Sequence, residues 1–405
     1  MPKEFLEMMN NMNIMFFNIA AHGHTNPTIE VTRELVKRGH QVHYYSFLPF
    51  QQKIEETGAV FISIDTYLPP LPKELEHKVG RDFSYLIEMN VDTTIALDNY
   101  INKEVESFQP DCLISDSVCF WGKLFSKKYR IPMICSTTTL AFNQYTSKMM
   151  KQGLKEIWLM FKGMPKINKK MKELSEYGFE VDNFLSLIQN DNETNTIVYT
   201  SRRFQPMVET FSDHYAFVGP SIKKITNQLA TKNKIVIYIS LGTVLYKNLS
   251  FYKECIKAFK NIDCEVIISI GEESYIDMLG EIPTHIHVFP RVNQLEVLSY
   301  CDVFLTHCGM NSVQESLYYG VPMILYPQHS EENAVALRVE QLKAGVFLKK
   351  AKSHQIQEVY HEIMNHNDYK KSAMEMSADF HQCGGAEEAV DFIETCIIKK
   401  SDDER

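Results

Sequence analysis

The chain has 405 residues, 44% hydrophobic and 23% charged. At roughly 100–200 residues per domain this is enough for two or three globular units, which excludes a disordered, collagen-like or disulfide-scaffold chain. With 42 Lys+Arg against 51 Asp+Glu the net charge is −9. That is a poor balance for sequence-independent nucleic-acid binding, which needs clustered positive charge, and the basic runs at residues 123–130 and 166–172 read as solvated helix faces.

Nine cysteines stand singly between Cys112 and Cys396, odd in number and with no C-x-x-C, several inside apolar runs. Reduced, buried thiols fit this better than disulfides. Residues 1–12 lack the apolar stretch of a signal peptide, and no run of about 18 apolar residues occurs anywhere. A cytoplasmic protein that neither spans nor binds a membrane is expected.

In chain order, residues 13–20 (NIMFFNIA) read as a buried strand. Asn26 then suits an N-cap and Pro27 a first helical position, so a helix is expected over 27–38, stopped by Gly39. Strands are expected at 41–47, 60–64, 112–115, 133–136 and 197–200. A polar stretch at 223–233 is the candidate linker. A second series of strands is expected at 234–239, 265–270, 287–289, 303–306 and 323–326. Strand–helix repetition on both sides of a linker predicts an α/β protein with two Rossmann-like, doubly wound parallel domains. Ligands of such sheets bind beyond the carboxyl ends of the strands, which directs attention to the loops that follow them.

The first of these loops is Ala21-His22-Gly23-His24-Thr25-Asn26-Pro27. A histidine there is a candidate general base, or a capping residue at the surface. Asp116, at the end of Cys112-Leu113-Ile114-Ser115-Asp116, suits either a partner that fixes a histidine tautomer or the N-cap of the next helix. In the second half, Thr306-His307-Cys308-Gly309-Met310-Asn311-Ser312-Val313-Gln314-Glu315 follows a strand and opens a helix. Free N–H groups and the positive dipole end suit a phosphate there, while Ser312-x-x-Glu315 also reads as a capping box. Ser240-Leu241-Gly242-Thr243 is a second glycine turn suited to phosphate. Glu331 and Glu332, after Pro327-Gln328-His329-Ser330, suit sugar hydroxyls or a solvated helix start.

Taken together, Gly23-His24-x-x-Pro27, Ser240-x-Gly242-Thr243, His307-x-Gly309-x-Asn311-Ser312-x-x-Glu315 and Gly320-Val321-Pro322 resemble the UDP-glycosyltransferases of the GT-B fold. Phe217-Val218-Gly219-Pro220-Ser221 and Cys383-Gly384-Gly385-Ala386 resemble the bacterial macrolide-glycosyltransferase branch. The resemblance spans residues 13–398. It implies an acceptor-binding domain over 1–222, a linker over 223–233, a UDP-sugar-binding domain over 234–385, and a helix over 386–405 crossing back to the first domain. The two domains are expected to face a cleft.

Residue by residue, the resemblance makes His24 the general base and Asp116 its partner. His307, Gly309, Asn311 and Ser312, with Gly242 and Thr243 nearby, fall to the diphosphate. Glu315 falls to the ribose and Glu331 to the sugar hydroxyls. His22 does not match the base and is read as a flank of the acceptor pocket.

Three departures stand out. Arg291 stands near the place of the tryptophan that plant members put beneath uracil, so the base falls to the Arg291 guanidinium plane or to the backbone around Val292 and Gln294. Glu332 stands where glutamine is usual, and an acid cannot donate as an amide does. The stretch between Gln294 and His307 is shorter than in plant enzymes.

The resulting expectation is inverting transfer of a sugar, with UDP-glucose the favoured donor, to a hydroxyl of a small, largely apolar acceptor such as a flavonoid, phenol or macrolide. Phe83, Phe142 and Met149 are candidate acceptor contacts, as flat and adaptable side chains in aromatic- and Met-rich stretches. No Asp-x-Asp occurs, so no metal and no tightly bound cofactor is expected. Rival readings are a UDP-sugar epimerase and a non-catalytic nucleotide-sugar binder. The absence of Gly-x-Gly-x-x-Gly after the first strand disfavours a dehydrogenase.

Overall fold

The computed structural model describes residues 11–68, 83–146, 154–181, 184, 187, 192–222, 234–242 and 248–403. The expected linker at 223–233, together with Thr243 and Met149, lies outside the described residues.

Two all-parallel sheets carry the fold. The first runs β3-β2-β1-β4-β5-β6-β7, from β1 (Asn13–Phe17), β2 (Gln41–Ser46), β3 (Val60–Ser63), β4 (Cys112–Asp116), β5 (Met133–Thr137), β6 (Thr196–Val198) and β7 (Tyr215–Phe217). The second runs β10-β9-β8-β11-β12-β13, from β8 (Val236–Ser240), β9 (Glu265–Ser269), β10 (Ile286–Phe289), β11 (Val303–Thr306), β12 (Met323–Leu325) and β13 (Gly345–Phe347). Strands buried on both faces favour continuous apolar runs, and β1, β8 and β11 are such runs.

The strand order reverses between β1 and β4 in the first sheet and between β8 and β11 in the second. At such a switch point the two loops leave in opposite directions and open a crevice at the carboxyl edge. Phe17 pairs with Ser115 across the first switch, and Thr306 with Ser240 across the second. The residues just beyond them are therefore neighbours although they stand far apart in sequence.

The chain divides into two compact units. The first holds Met1–Tyr199, Met207–Ser221 and Gly384–Arg405, and the second holds Thr200–Pro206 and Ile222–Cys383. Each has its own core. Phe16 stacks on Tyr44 at 4.6 Å and Phe17 on Tyr45 at 4.7 Å in the first, while Tyr238 stacks on Phe304 at 4.7 Å in the second. The helix Gly385–Asp403 buries Ala389, Val390 and Ile393 in the first core. Its Glu394 accepts from Arg38 at 2.9 Å and from His40 Nε2 at 3.0 Å.

Several local expectations change. Thr200–Pro206 belongs with the second unit rather than the first, because Arg338 donates to the carbonyls of Arg203 and Phe204, at 2.6 and 2.8 Å, and Phe204 packs on Phe380. Asn26 is not an N-cap. Residues His22–Thr25 already form a helical turn, and the following helix is Thr28–Lys37 with Pro27 at its N-cap. The edge strands β7 and β13, three residues each, were not expected at all. Among the described residues no helix is long and apolar enough to cross a membrane.

Candidate functional site

At the first switch point, His24 leaves the loop after β1 and Asp116 ends β4. The His24 Nδ1 stands 2.7 Å from Asp116 Oδ2. Asp116 is 2% exposed, and its Oδ1 accepts from the Val118 N–H at 2.8 Å. The helix after it, Phe120–Tyr129, is capped by Cys119 with no side-chain bond, so Asp116 is not its N-cap. A carboxylate only accepts, so the hydrogen sits on Nδ1 and Nε2 carries the basic lone pair. Thr138 Oγ1, just past β5, lies 3.1 Å from the same Nδ1.

Beneath the histidine runs a directed chain of hydrogen bonds. The Asn18 amide donates to the His24 carbonyl at 3.1 Å and to the Tyr44 hydroxyl at 2.7 Å. Thr28 Oγ1 spends its hydrogen on the Thr25 carbonyl at 2.8 Å, so the Tyr44 hydroxyl donates to Thr28, at 2.7 Å. Asn18, Thr25, Thr28 and Tyr44 are buried, and the chain fixes the backbone that carries His24. Asn18, Tyr44 and Thr138 escaped the sequence reading. Asn18 and Thr138 stand directly after β1 and β5, whereas Tyr44 lies inside β2, and the role of each shows only in the partners that folding brings near.

At the second switch point, His307 leaves β11 and is flanked by two glycines. A Cβ on Gly242 would lie 2.5 Å from its Cε1, and one on Gly309 2.6 Å from its Nε2. Gly242 also has φ +73°, a conformation side-chain-bearing residues rarely adopt. Burial lowers the His307 imidazole to about 4, with His329 pushing the same way. The ring is therefore neutral near pH 7. Its Nδ1 is buried without a well-formed hydrogen bond, the Ser240 backbone being close enough only to pull weakly against that burial.

The helix Met310–Tyr318 begins at Gly309 with no side-chain cap. Ser312 and Glu315 lie within it and do not form the capping box that their spacing suggested. Instead Gln294 Nε2 donates to Ser312 Oγ at 3.1 Å and to Glu315 Oε2 at 2.5 Å. The Tyr238 hydroxyl donates to Gln294 Oε1 at 3.1 Å. Asn311 is half-buried in the first turn.

A capping arrangement does occur one helix later. Glu332, in the first turn of Ser330–Gln341, accepts from the N–H groups of Gln328 at 2.7 Å and His329 at 3.2 Å. Burial pushes its carboxyl up to about 7, against those two hydrogen bonds. Glu331 beside it is exposed.

Arg291 is exposed, and Val292 borders a shallow cavity of about 270 Å³ with Phe289, Glu296 and Tyr300. His22 is exposed, its ring edge-on to Phe50 at 4.9 Å. Phe83 begins the helix Phe83–Phe108, and Phe142 is half-buried in the loop after β5. Among the described residues no group of His, Cys, Asp and Glu is arranged to hold a metal ion.

Two doubly wound sheets, each with polar side chains gathered at its switch point, form the GT-B architecture of nucleotide-sugar glycosyltransferases. The glycosyltransferase of kitacinnamycin superposes with a TM-score of 0.80 at 23% identity, covering 95% of this chain and 99% of that one. The calicheamicin glycosyltransferase CalG4 gives 0.78 at 22%, covering 96% and 98%. Residues 253–394 match the family described as erythromycin biosynthesis protein CIII-like, C-terminal domain. The NDP-glycosyltransferase YjiC of Bacillus subtilis is 31% identical over 402 residues, 97% of this chain and 99% of that protein. The oleandomycin glycosyltransferase of Streptomyces antibioticus is 26% identical, covering 94% and 90%. The chain belongs to the NDP-glycosyltransferases, enzymes that move a sugar from a nucleotide donor to a small molecule. Membership decides for transfer over the epimerase and non-catalytic readings.

Proposed function

We propose that the enzyme transfers glucose from UDP-glucose, with inversion and without a metal, to a hydroxyl of a small, largely apolar acceptor such as a flavonoid, phenol or macrolide. The observation that carries this reading is the 2.7 Å contact between His24 Nδ1 and Asp116 Oδ2. A neutral hydroxyl is a weak nucleophile, and a positioned base contributes about 10²–10⁴-fold. His24 Nε2 takes the acceptor proton as the acceptor oxygen bonds to the anomeric carbon and the bond from that carbon to UDP breaks. Asp116 stabilises the imidazolium that forms.

The departing diphosphate gathers negative charge. The open N-terminus of Met310–Tyr318, with Asn311 and Ser312, supplies N–H and hydroxyl donors and the positive end of a helix dipole. His307, being neutral, contributes a hydrogen bond rather than a charge. Gly242 and Gly309 let the diphosphate approach the backbone, and Thr243 is assigned to the same group. Glu315 takes the ribose hydroxyls, Glu331 the sugar hydroxyls, and Arg291 with Val292 the base. Relatives bearing the description UDP-glucosyltransferase, such as YojK of Bacillus subtilis at 28% identity, support the donor. His22, Phe83, Phe142 and Met149 are assigned to the acceptor. Trp158 and Phe161, 60% and 68% exposed on the helix Leu154–Glu176, offer further apolar surface in the same unit.

The test is mass spectrometry of reactions pairing mixed UDP-sugars with a pool of flavonoids, phenols and macrolides in EDTA. A hexose increment on an acceptor, formed from UDP-glucose with inverted anomeric configuration by NMR, supports the reading. Transfer only after a divalent ion is restored, or only from another nucleotide sugar, overturns it in that part.

A further inference from the structure

Gln294 is the most fully committed side chain of the second switch point. Its oxygen takes the Tyr238 hydroxyl hydrogen, and its nitrogen serves Ser312 and Glu315. The amide orientation follows from chemistry, because the reverse flip would set its oxygen against the Glu315 carboxylate, 2.5 Å away. Tyr238 is 1% exposed on β8 with its ring stacked on Phe304, so its hydroxyl is a fixed point in the sheet. Ser312 and Glu315 lie three positions apart, on one face of the helix. The Tyr238 hydroxyl thus sets Gln294, and Gln294 sets the rotamer of Glu315.

We infer that Tyr238 and Gln294 are positioning residues that hold the Glu315 carboxylate for a nucleotide's 2′-hydroxyl, and that this relay makes the enzyme select ribonucleoside over 2′-deoxyribonucleoside diphosphates. The inference rests on the placement of Glu315 at the ribose. A carboxylate with one oxygen held by the Gln294 amide presents a fixed acceptor, and a ligand lacking the matching hydroxyl forfeits the hydrogen bond to it. A site built to hydrogen-bond a hydroxyl discriminates strongly for that reason. Without the Tyr238 hydroxyl the amide oxygen loses the donor that anchors Gln294, and the hold of its nitrogen on the carboxylate loosens.

The experiment is calorimetric titration of UDP and 2′-deoxy-UDP into the full chain and its Tyr238→Phe, Gln294→Leu and Glu315→Gln variants, needing no turnover. The wild type is expected to bind UDP at least about tenfold tighter than 2′-deoxy-UDP. Tyr238→Phe and Gln294→Leu are expected to bring that ratio towards one while leaving 2′-deoxy-UDP affinity within about twofold. A purely structural role would instead weaken both nucleotides alike, and that result overturns the relay. If Glu315→Gln collapses the ratio but the other two keep it, the relay fails and the ribose assignment stands. If the wild type does not discriminate, or Glu315→Gln keeps the ratio, both fail. Gln294→Leu, at a half-buried position outside the β8 strand itself, covers the case in which Tyr238→Phe does not fold.

Discussion

Gly309 lies so close under His307 that a Cβ placed on it would stand 2.6 Å from the ring's Nε2. Gly242 closes the other side at 2.5 Å from Cε1. The two glycines differ in backbone. Gly309 has φ −59°, which any residue adopts, whereas Gly242 has φ +73°. Gly309→Ala should therefore act through the ring alone, weakening UDP about tenfold or more with a small change in Tm. Gly242→Ala adds backbone strain of about 1–2 kcal/mol and should lower Tm as well. Calorimetry with UDP and thermal unfolding separate the two. Unchanged UDP affinity in Gly309→Ala would remove His307 from the donor site.

Asp116→Asn keeps the shape of the side chain and an oxygen for the Val118 N–H. It removes the charge that stabilises a protonated His24 and can present an N–H where His24 Nδ1 needs an acceptor. Turnover should fall about 10²–10⁴-fold, with UDP affinity unchanged, because the residues proposed for the donor lie in the other unit. His24→Ala should match it. A parallel loss of UDP affinity would show that the pair is structural. Initial rates and UDP titrations on the same preparations decide the matter.

Much of the fold was legible because strands buried on both faces must be apolar runs, and β1, β8 and β11 are such runs. The edge strands β7 and β13 were not, since three residues carry no periodicity. His24, Asp116 and His307 could be singled out because they end strands or follow them closely. Asn18, Tyr44 and Tyr238 could not: they sit within or directly after core strands, and their polar atoms matter only through partners brought near by folding. Gln294 shows the limit most plainly. Its bonds to Ser312 and Glu315 cross 18 and 21 residues and displace the capping box that local spacing favoured.

The C-terminal helix supplies a stability test. Glu394 is 7% exposed and accepts from both Arg38 and His40, whereas Asp391 also pairs with Arg38 but its side chain is 69% exposed. Removing Glu394 leaves Arg38 its bonds to Glu34 and Asp391 but strips His40 Nε2 of a buried acceptor. Glu394→Ala should cost about 2 kcal/mol. Asp391→Ala should cost under about 1 kcal/mol, being a solvent-screened pair. Urea unfolding of the two variants checks the ranking, and equal costs would contradict it.

His307 and Glu332 titrate with opposite consequences. His307 falls from an ordinary 6.5 to about 4, so between those values the unfolded chain holds more protons and stability rises with pH. Glu332 climbs from an ordinary 4.5 to about 7, so between those values the folded chain holds more protons and stability falls as pH rises. The slopes oppose each other where the windows overlap, and the contribution of this pair to the pH profile is nearly flat there. Glu332→Gln removes the falling slope while keeping an oxygen for the N–H groups of Gln328 and His329. The variant's Tm should climb through pH 4.5–6.5 more steeply than that of the wild type. Above pH 7 it should exceed the wild type, which there carries a buried carboxylate. Thermal unfolding of both proteins across pH 4–8 reads this directly. Parallel curves would mean that Glu332 is ionised throughout, with its two backbone hydrogen bonds outweighing the cost of burial.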